Sequence, residues 1–447
     1  MTALTLAIII AFVVGYVFIA LESAIRVNKA AIALFMMVVC WSLFMVNPGS
    51  FLPDVDPSEM FTAVSETIER HLGSASTTLF FLMGAMTIVE VVDQNGGFSF
   101  VRRAMKTTNK RRLLWRIALL TFFLSAILDN LTTSIVMVMV LRKLVSMRAD
   151  RLTYAGMVVI AANSGGAFSP IGDVTTIMLW NQGLITSAGV IEEIFISSLI
   201  SMVIPAFLLQ FTLHGKLEVP DDTGDDKYED ELTSRQRKVV FFLGVGGLVF
   251  VPIFKYLTEL PPFVGILLVL SLLWLTTELF YAHLRRRSDP HKRHNRVSRL
   301  LSHIDMATIL FFLGILMAVS CLEEVGVLAS LGTWLDGASG GNHYIVTGSI
   351  GVMSSLVDNV PLVAGCMGMY PLAPTGDMAV DGIFWQLLAY CAGVGGSILI
   401  IGSAAGVVVM GLERISFGWY LRHISWVALV GFFAGMAWYW FERTFLF

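Results

Sequence analysis

Four polar clusters interrupt otherwise apolar sequence. The first is Ser125-Ala-Ile-Leu-Asp129-Asn130-Leu-Thr132-Thr133. The second runs from Asn163-Ser164-Gly165-Gly166 through Ser169-Pro170-Ile-Gly172-Asp173 to Thr175-Thr176. The third is Ser354-Ser355-Leu-Val-Asp358-Asn359-Val-Pro361, and the fourth runs from Gly395-Gly396-Ser397 to Gly402-Ser403. Glycine and proline unwind a helix and free its backbone carbonyls, which at membrane depth are tolerated only where they are buried in protein or line a cavity. With Asn, Ser and Thr oxygens they form a hard-oxygen cage suited to a dehydrated alkali cation. A carboxylate inside a span adds negative charge and a place for a proton, and its cost makes it a functional candidate by default.

The candidate ion- or proton-binding residues are therefore Asp129, Asn130, Thr132, Thr133, Asn163, Asp173, Thr175, Thr176, Asp358, Asn359, Ser125, Ser354, Ser397 and Ser403. Gly165, Gly166, Pro170, Gly172, Pro361, Gly395, Gly396 and Gly402 are the candidate helix breakers. Each has a plainer reading. Glycines in membrane helices allow close packing, Ser and Thr bond back to their own helix, and Asp129, Asp173 and Asp358 can cap the helix that follows. Capping and ion binding are compatible.

The elements that position these residues follow from composition. Of 447 residues, 56% are hydrophobic and 14% charged, against roughly 25% charged in an ordinary soluble domain. Mean hydropathy is +0.76. This excludes a soluble globular protein and a disordered chain. A formal net charge of −3 offers no field for nucleic acid. Lipid is the expected surrounding. Cys40, Cys321, Cys366 and Cys391 lie in apolar runs without paired spacing and read as packing residues. No cleavable signal peptide is evident, since the stretch 3–21 lacks a basic flank and is long enough to span.

A crossing helix needs about 20 apolar residues. Such segments lie near 3–21, 30–46, 74–92, 191–213, 239–257, 263–283, 305–322 and 424–442. The stretches 152–181 and 383–411 have the right length but are broken by glycine and polar residues. Residues 54–70 read as an amphipathic segment on the outer face. Basic residues crowd 102–112, 142–151 and 285–299, which places those loops in the cytoplasm.

Segments 113–145 and 343–373 each hold a polar break at mid-length. Both flanks of the first are basic, so both its ends face the cytoplasm. Each arm has about 16 residues, or about 24 Å of helix, short of a hydrocarbon core about 30 Å thick. The segment reads as a re-entrant hairpin with Asp129-Asn130 at its tip. Segment 343–373, with Asp358-Asn359 at its tip and no Lys or Arg at its flanks, enters from outside. The expected fold is an all-α polytopic membrane protein of two inverted repeats, each with five crossing helices (one broken) and one re-entrant helical hairpin. Residues 1–214 form the first repeat, 215–238 a cytoplasmic loop and 239–447 the second repeat, with the C-terminus external. Local sequence agrees. Phe80-Phe81-Leu82 matches Phe311-Phe312-Leu313, and Gly165-Gly166 with Gly172 matches Gly395-Gly396 with Gly402. Inverted repeats with discontinuous helices are the build of secondary transporters, with the site near the midplane.

At the strings Asp129-Asn-Leu-Thr-Thr133, Ser169-Pro-Ile-Gly-Asp-Val-Thr-Thr176, Asp358-Asn-Val-Pro-Leu362 and Gly396-Ser through Gly402-Ser-Ala-Ala-Gly406 the sequence resembles the NhaD-type sodium/proton antiporters of the ion transporter superfamily. The resemblance runs from about residue 74 to the C-terminus. It implies Na⁺ or Li⁺ exchanged for H⁺, no cofactor besides the transported ions, and a homodimer in a bacterial inner membrane. It also implies a fixed scaffold beside a moving, elevator-like transport unit that contains both hairpins.

The same superfamily contains carboxylate and oxyanion transporters. Here an anionic substrate would face two fixed tip carboxylates with no Lys or Arg inside the membrane, and repulsion at low dielectric disfavours it. An intramembrane aspartyl protease, with Asp129 and Asp173 or Asp358 as its dyad, is only partly matched by Pro170-Ile-Gly172-Asp173. Of the three carboxylates, the symmetric pair Asp129 and Asp358 ranks ahead of Asp173 as carrier of the coupled proton.

Overall fold

The computed structural model describes residues 3–20, 25, 27–53, 55–95, 105, 107–217, 233–285, 306–356 and 359–445. Asp358 and most of the two basic loops at 93–112 and 284–303 lie outside the described residues. Chain order gives α1 (Ala3–Ala20), α2 (Lys29–Val46), α3 (Met60–Gln94), α4 (Lys110–Leu128), α5 (Asn130–Leu144) and α6 (Arg148–Ala167). There follow α7 (Val174–Asn181), α8 (Ser187–Leu209), α9 (Ser234–Thr258), α10 (Pro262–Arg285), α11 (Met306–Glu324) and α12 (Val327–Ser339). The last six are α13 (His343–Ser354), α14 (Asn359–Met369), α15 (Ile383–Gly395), α16 (Ala404–Glu413), α17 (Phe417–His423) and α18 (Ser425–Phe445). Among the described residues no strand forms beyond one isolated bridge between Asn109 and Lys216.

Helices α2, α3, α8, α9, α10 and α11 are long and apolar enough to cross a membrane, and α17 with α18, bent by 52°, makes a seventh span. The protein is a multi-pass membrane protein. One expectation is corrected. Residues 60–70 are not a separate surface segment but the first turns of α3, a 35-residue helix about 52 Å long. Gly73, just beyond this stretch, has open space around it, and a helical glycine costs about 1 kcal/mol, too little to end a helix. Helices α12 and α17, to which the hydropathy pattern gave no span, fill the connections before α13 and α18.

The expected hairpins are helical pairs whose two feet stand together. At the start of α4, the Lys110 ammonium lies 2.7 Å from Asp150 and the Lys110 carbonyl accepts from Tyr154 at 3.0 Å. At the end of α5, the Val145 carbonyl accepts from Arg151 at 3.1 Å. All three partners lie on the first turns of α6, so the chain turns back at Asp129. The pair α13 and α14 behaves likewise. His343 and Tyr370, at its two feet, both pack on Phe384 at the start of α15.

Helices α6 with α7 and α15 with α16 run antiparallel. The end of α7 leads to Leu184 and Thr186, which bond to Asp381 just before α15. The end of α16 places buried Glu413 between Arg142 and Arg151, at 2.8 and 2.7 Å. The two hairpins therefore stand at opposite ends of these broken helices. Packing divides the bundle. Helices α1, α2, α3, α9, α10 and α11 form one group, and α4 to α8 with α13 and α15 to α18 form the other. Helix α14 lies between them, packed on α11 and α12 on one side and reaching the second group at its N-terminus.

Candidate ion-binding site

Helix breakage does the positioning. Helix α6 stops at Phe168, the chain turns through Ser169-Pro170-Ile171-Gly172, and α7 restarts with Asp173 as its N-cap. In the second half α15 stops at Gly396 and α16 restarts with Ser403 as its N-cap. The hairpins lie against these breaks through backbone. A Cβ on Gly165 would overlap the Phe122 carbonyl, and one on Gly395 would overlap the Gly351 carbonyl. Gly172 likewise abuts the Ser125 carbonyl, and Gly402 that of Ser355. Ser125 donates to the Ala162 carbonyl at 2.7 Å, and Ser354 to the Ala392 carbonyl at 2.8 Å. Gly166 and Gly396 pack on the chain as it resumes after each break. Pro361 sits in the first turn of α14, where its missing N–H would have no intrahelical partner.

The two hairpin tips converge on Asp173, which is 1% exposed. Asn130, from the first tip, donates its amide to Asp173 Oδ2 at 3.0 Å and to Asn163 Oδ1 at 3.2 Å. Asn359, from the second tip, donates to Asp173 Oδ2 at 3.2 Å and Oδ1 at 3.4 Å. Asn163 continues the chain to Ser403 Oγ at 3.1 Å, joining the two breaks. The backbone N–H of Thr175 donates to Asp173 Oδ1 at 3.3 Å. These donors are neutral amides. A buried carboxylate is a place where a cation or a proton gains most from joining it.

The remaining candidates divide. Thr133 and Thr175 hold buried hydroxyls without a hydrogen-bond partner. Thr176 bonds back to the Asp173 carbonyl at 2.8 Å and Ser397 to that of Val394 at 2.7 Å, as their plainer reading anticipates. The half-buried Asp129 turns to its own helix. Its carboxylate accepts from the backbone N–H of Thr132 at 2.7 Å and from the Thr132 hydroxyl at 2.9 Å. Its backbone, at φ 87° and ψ 160°, occupies a region that is nearly glycine-only and costs about 1–3 kcal/mol. That strain is held at the hairpin tip, one residue before Asn130.

The ranking by symmetry thus differs from the geometry. Asp173, placed last by sequence, is the carboxylate that both tips touch. One basic residue that the sequence reading did not single out is Lys255, in the last turn of α9. It bonds the far end of α7, seven residues from Asp173 and so about 10 Å along the helix. Sequence reading passed over Lys255 because a lone lysine near a span end resembles an interfacial anchor.

A cavity of about 710 Å³ opens between α3 and α11 on one side and α7 and α14 on the other. Arg70, His71, Glu323 and Glu324 are among its lining residues. Glu324 pairs with Arg70 and, at 2.7 Å, with His71.

Comparison with known proteins agrees with this architecture. A family model described as a citrate transporter matches residues 16–389. Sodium/proton antiporter 1 of Arabidopsis thaliana is 43% identical over 96% of this chain and 71% of its own. The Na⁺/H⁺ antiporter NhaD of Alkalimonas amylolytica is 30% identical over 95% of this chain and 88% of its own. Among solved structures, the Alcanivorax borkumensis YdaH transporter superposes with a TM-score of 0.57 at 15% identity, covering 88% of this chain and 90% of that one, a likeness of fold alone. The chain is a secondary transporter, not an enzyme, and it belongs to the citrate-transporter family and with the NhaD-type sodium/proton antiporters.

Proposed function

We propose that the protein exchanges Na⁺ for H⁺ at a single site centred on Asp173, with Asn130, Asn163 and Asn359 around it and Asp129 at the adjoining tip. The observation that carries this reading is the convergence of both tip asparagines on one buried carboxylate. One buried negative charge favours one positive partner at a time, either a proton or a cation. A carboxamide turned over about its last torsion presents oxygen in place of N–H. Asn130 and Asn359 can therefore donate to the bare carboxylate in one state and ligate a cation in another. The unpaired hydroxyls of Thr133 and Thr175 supply further oxygens. Li⁺, smaller and equally hard, fits the same donor set.

The two halves serve as inverted repeats in this reading, supported by the matched glycine and serine contacts at the two breaks and by hairpins standing at opposite ends. Alternating access follows if the group holding both breaks moves as a unit, elevator-like, past the group of α1, α2, α3, α9, α10 and α11. The cavity lined in part by Arg70, His71, Glu323 and Glu324 is then one approach to the site, on the external side.

A carboxylate cargo, which the citrate-transporter family name raises, is disfavoured at this position. It would meet buried Asp173, while Lys255 lies at the opposite end of α7. The test is transport in proteoliposomes containing a pH-sensitive dye, with Na⁺, Li⁺, K⁺ or citrate added outside in turn. Alkalinisation of the lumen driven by outward H⁺ movement on addition of Na⁺ or Li⁺, and silence with citrate, is the expected result. Citrate-dependent uptake without a Na⁺ response would replace this reading by the carboxylate one.

A further inference from the structure

Helix α7 carries Asp173 at its N-terminus and ends at Trp180 and Asn181. That far end is held by side chains and hydroxyls of the other packing group. Lys255 on α9 donates its ammonium to the Trp180 carbonyl at 2.9 Å and stands 4.4 Å from the centroid of the Trp180 ring. Asn181 donates to the Thr78 hydroxyl of α3 at 3.3 Å, and Gln182 to the Ser74 hydroxyl at 2.6 Å. Phe81 of α3 meets the Trp180 ring edge-on at 6.4 Å.

The last carbonyls of a helix carry the negative end of its dipole, and that of Trp180, which also accepts the Gly183 N–H at 3.1 Å, has a second lone pair to share. An ammonium is the matched group for them. Lys255 is half-buried in the last turn of α9, with its apolar stem packed and its ammonium turned to α7. The other two contacts are neutral and weaker, so the charged one sets the strength of the attachment.

We propose that Lys255 is a positioning residue for the exchange. By bonding the Trp180 carbonyl it fixes α7, and with it Asp173, against α3 and α9 in this conformation, and the bond breaks when the two helix groups move past each other. The movement rests on the alternating-access reading above. The identity of the cargo does not enter.

The test uses the full chain with its four native cysteines replaced by alanine and a new pair, Thr78→Cys and Asn181→Cys, whose cross-linking by a short bifunctional thiol reagent reports the attached state. Lys255→Met is expected to lower the cross-linking yield about tenfold, the population ratio that one charge-assisted hydrogen bond sets. Lys255→Arg, which keeps the charge and the donor, is expected to hold the parent yield and so separates a lost attachment from a damaged fold. Lys255→Gln is measured in parallel and takes the place of the Met variant if that one fails to insert; it too is expected to fall below the parent. Equal cross-linking in the parent and the uncharged variants overturns the proposal. That holds whether or not the vesicles exchange Na⁺ for H⁺, so failure here is distinct from failure of the proposed exchange.

Discussion

Asp173→Asn is expected to abolish Na⁺-driven proton movement while leaving the protein folded and inserted. An asparagine whose oxygen takes the place of Oδ2 still accepts from both Asn130 and Asn359, the two bonds that tie the tips together. The charge is removed, along with the two long bonds to Oδ1, from the Thr175 backbone at 3.3 Å and from Asn359 at 3.4 Å. Loss of one member of a buried charge pair costs about 3–5 kcal/mol, which places the loss of cation-driven exchange at roughly 10²- to 10⁴-fold. Asp129→Ser should act more mildly, because serine is itself a good N-cap and Asp129 turns to Thr132 rather than to the centre. The comparison is made on initial dye responses in vesicles of equal protein content. An inactive Asp129→Ser variant beside an active Asp173→Asn variant would move the centre of the site to the hairpin tip.

The second large effect lies in the scaffold of the site. Gly165→Val and Gly395→Val each place side-chain atoms where the hairpin backbone already stands, at the Phe122 and Gly351 carbonyls. A flexible side chain could yield, but a backbone carbonyl inside a helix pair yields only by moving the hairpin. Overpacking of this kind costs about 1–3 kcal/mol or more, and here it also withdraws a tip asparagine from Asp173. Both variants are expected to show a lowered melting temperature in detergent and no transport. Gly73→Val, at a helical glycine with open space around it, is the control and should change stability little. Normal stability and transport in the Gly165 and Gly395 variants would mean that these glycines only ease packing.

The sequence carried the breaks at Asp129, between α6 and α7 and between α15 and α16 because each leaves a local signature. Asp129 interrupts an apolar run with basic residues at both ends, and the paired glycines mark where the helices stop. It carried the extent of α3 poorly, since Gly73 and the charges at 66–70 imitate a boundary that the helix simply passes through. It ranked Asp173 last for a physical reason. Symmetry rewards residues that occur twice, whereas the position matching Asp173 in the second half is Ser403. The bond from Asn359 to Asp173 joins positions 186 residues apart, and nothing local to either residue encodes it. Lys255 was hidden in the same way, because its partner is a backbone carbonyl, which has no sequence signature.

Competition between the two ions at one carboxylate is the central claim, and equilibrium binding of isotopic Na⁺ to the purified protein across a pH series tests it most directly. If a proton and Na⁺ exclude each other at Asp173, linkage requires that each weakens the binding of the other by the same factor. Below the pH at which the site releases its proton, the apparent Na⁺ affinity should fall about tenfold for each unit of added acidity, and above it the affinity should be level. The Asp173→Asn variant should bind weakly at every pH. An apparent affinity in the parent that stays constant between about pH 6 and 9, with Na⁺ binding retained in the Asp173→Asn variant, would contradict a shared site and require separate paths for the two ions.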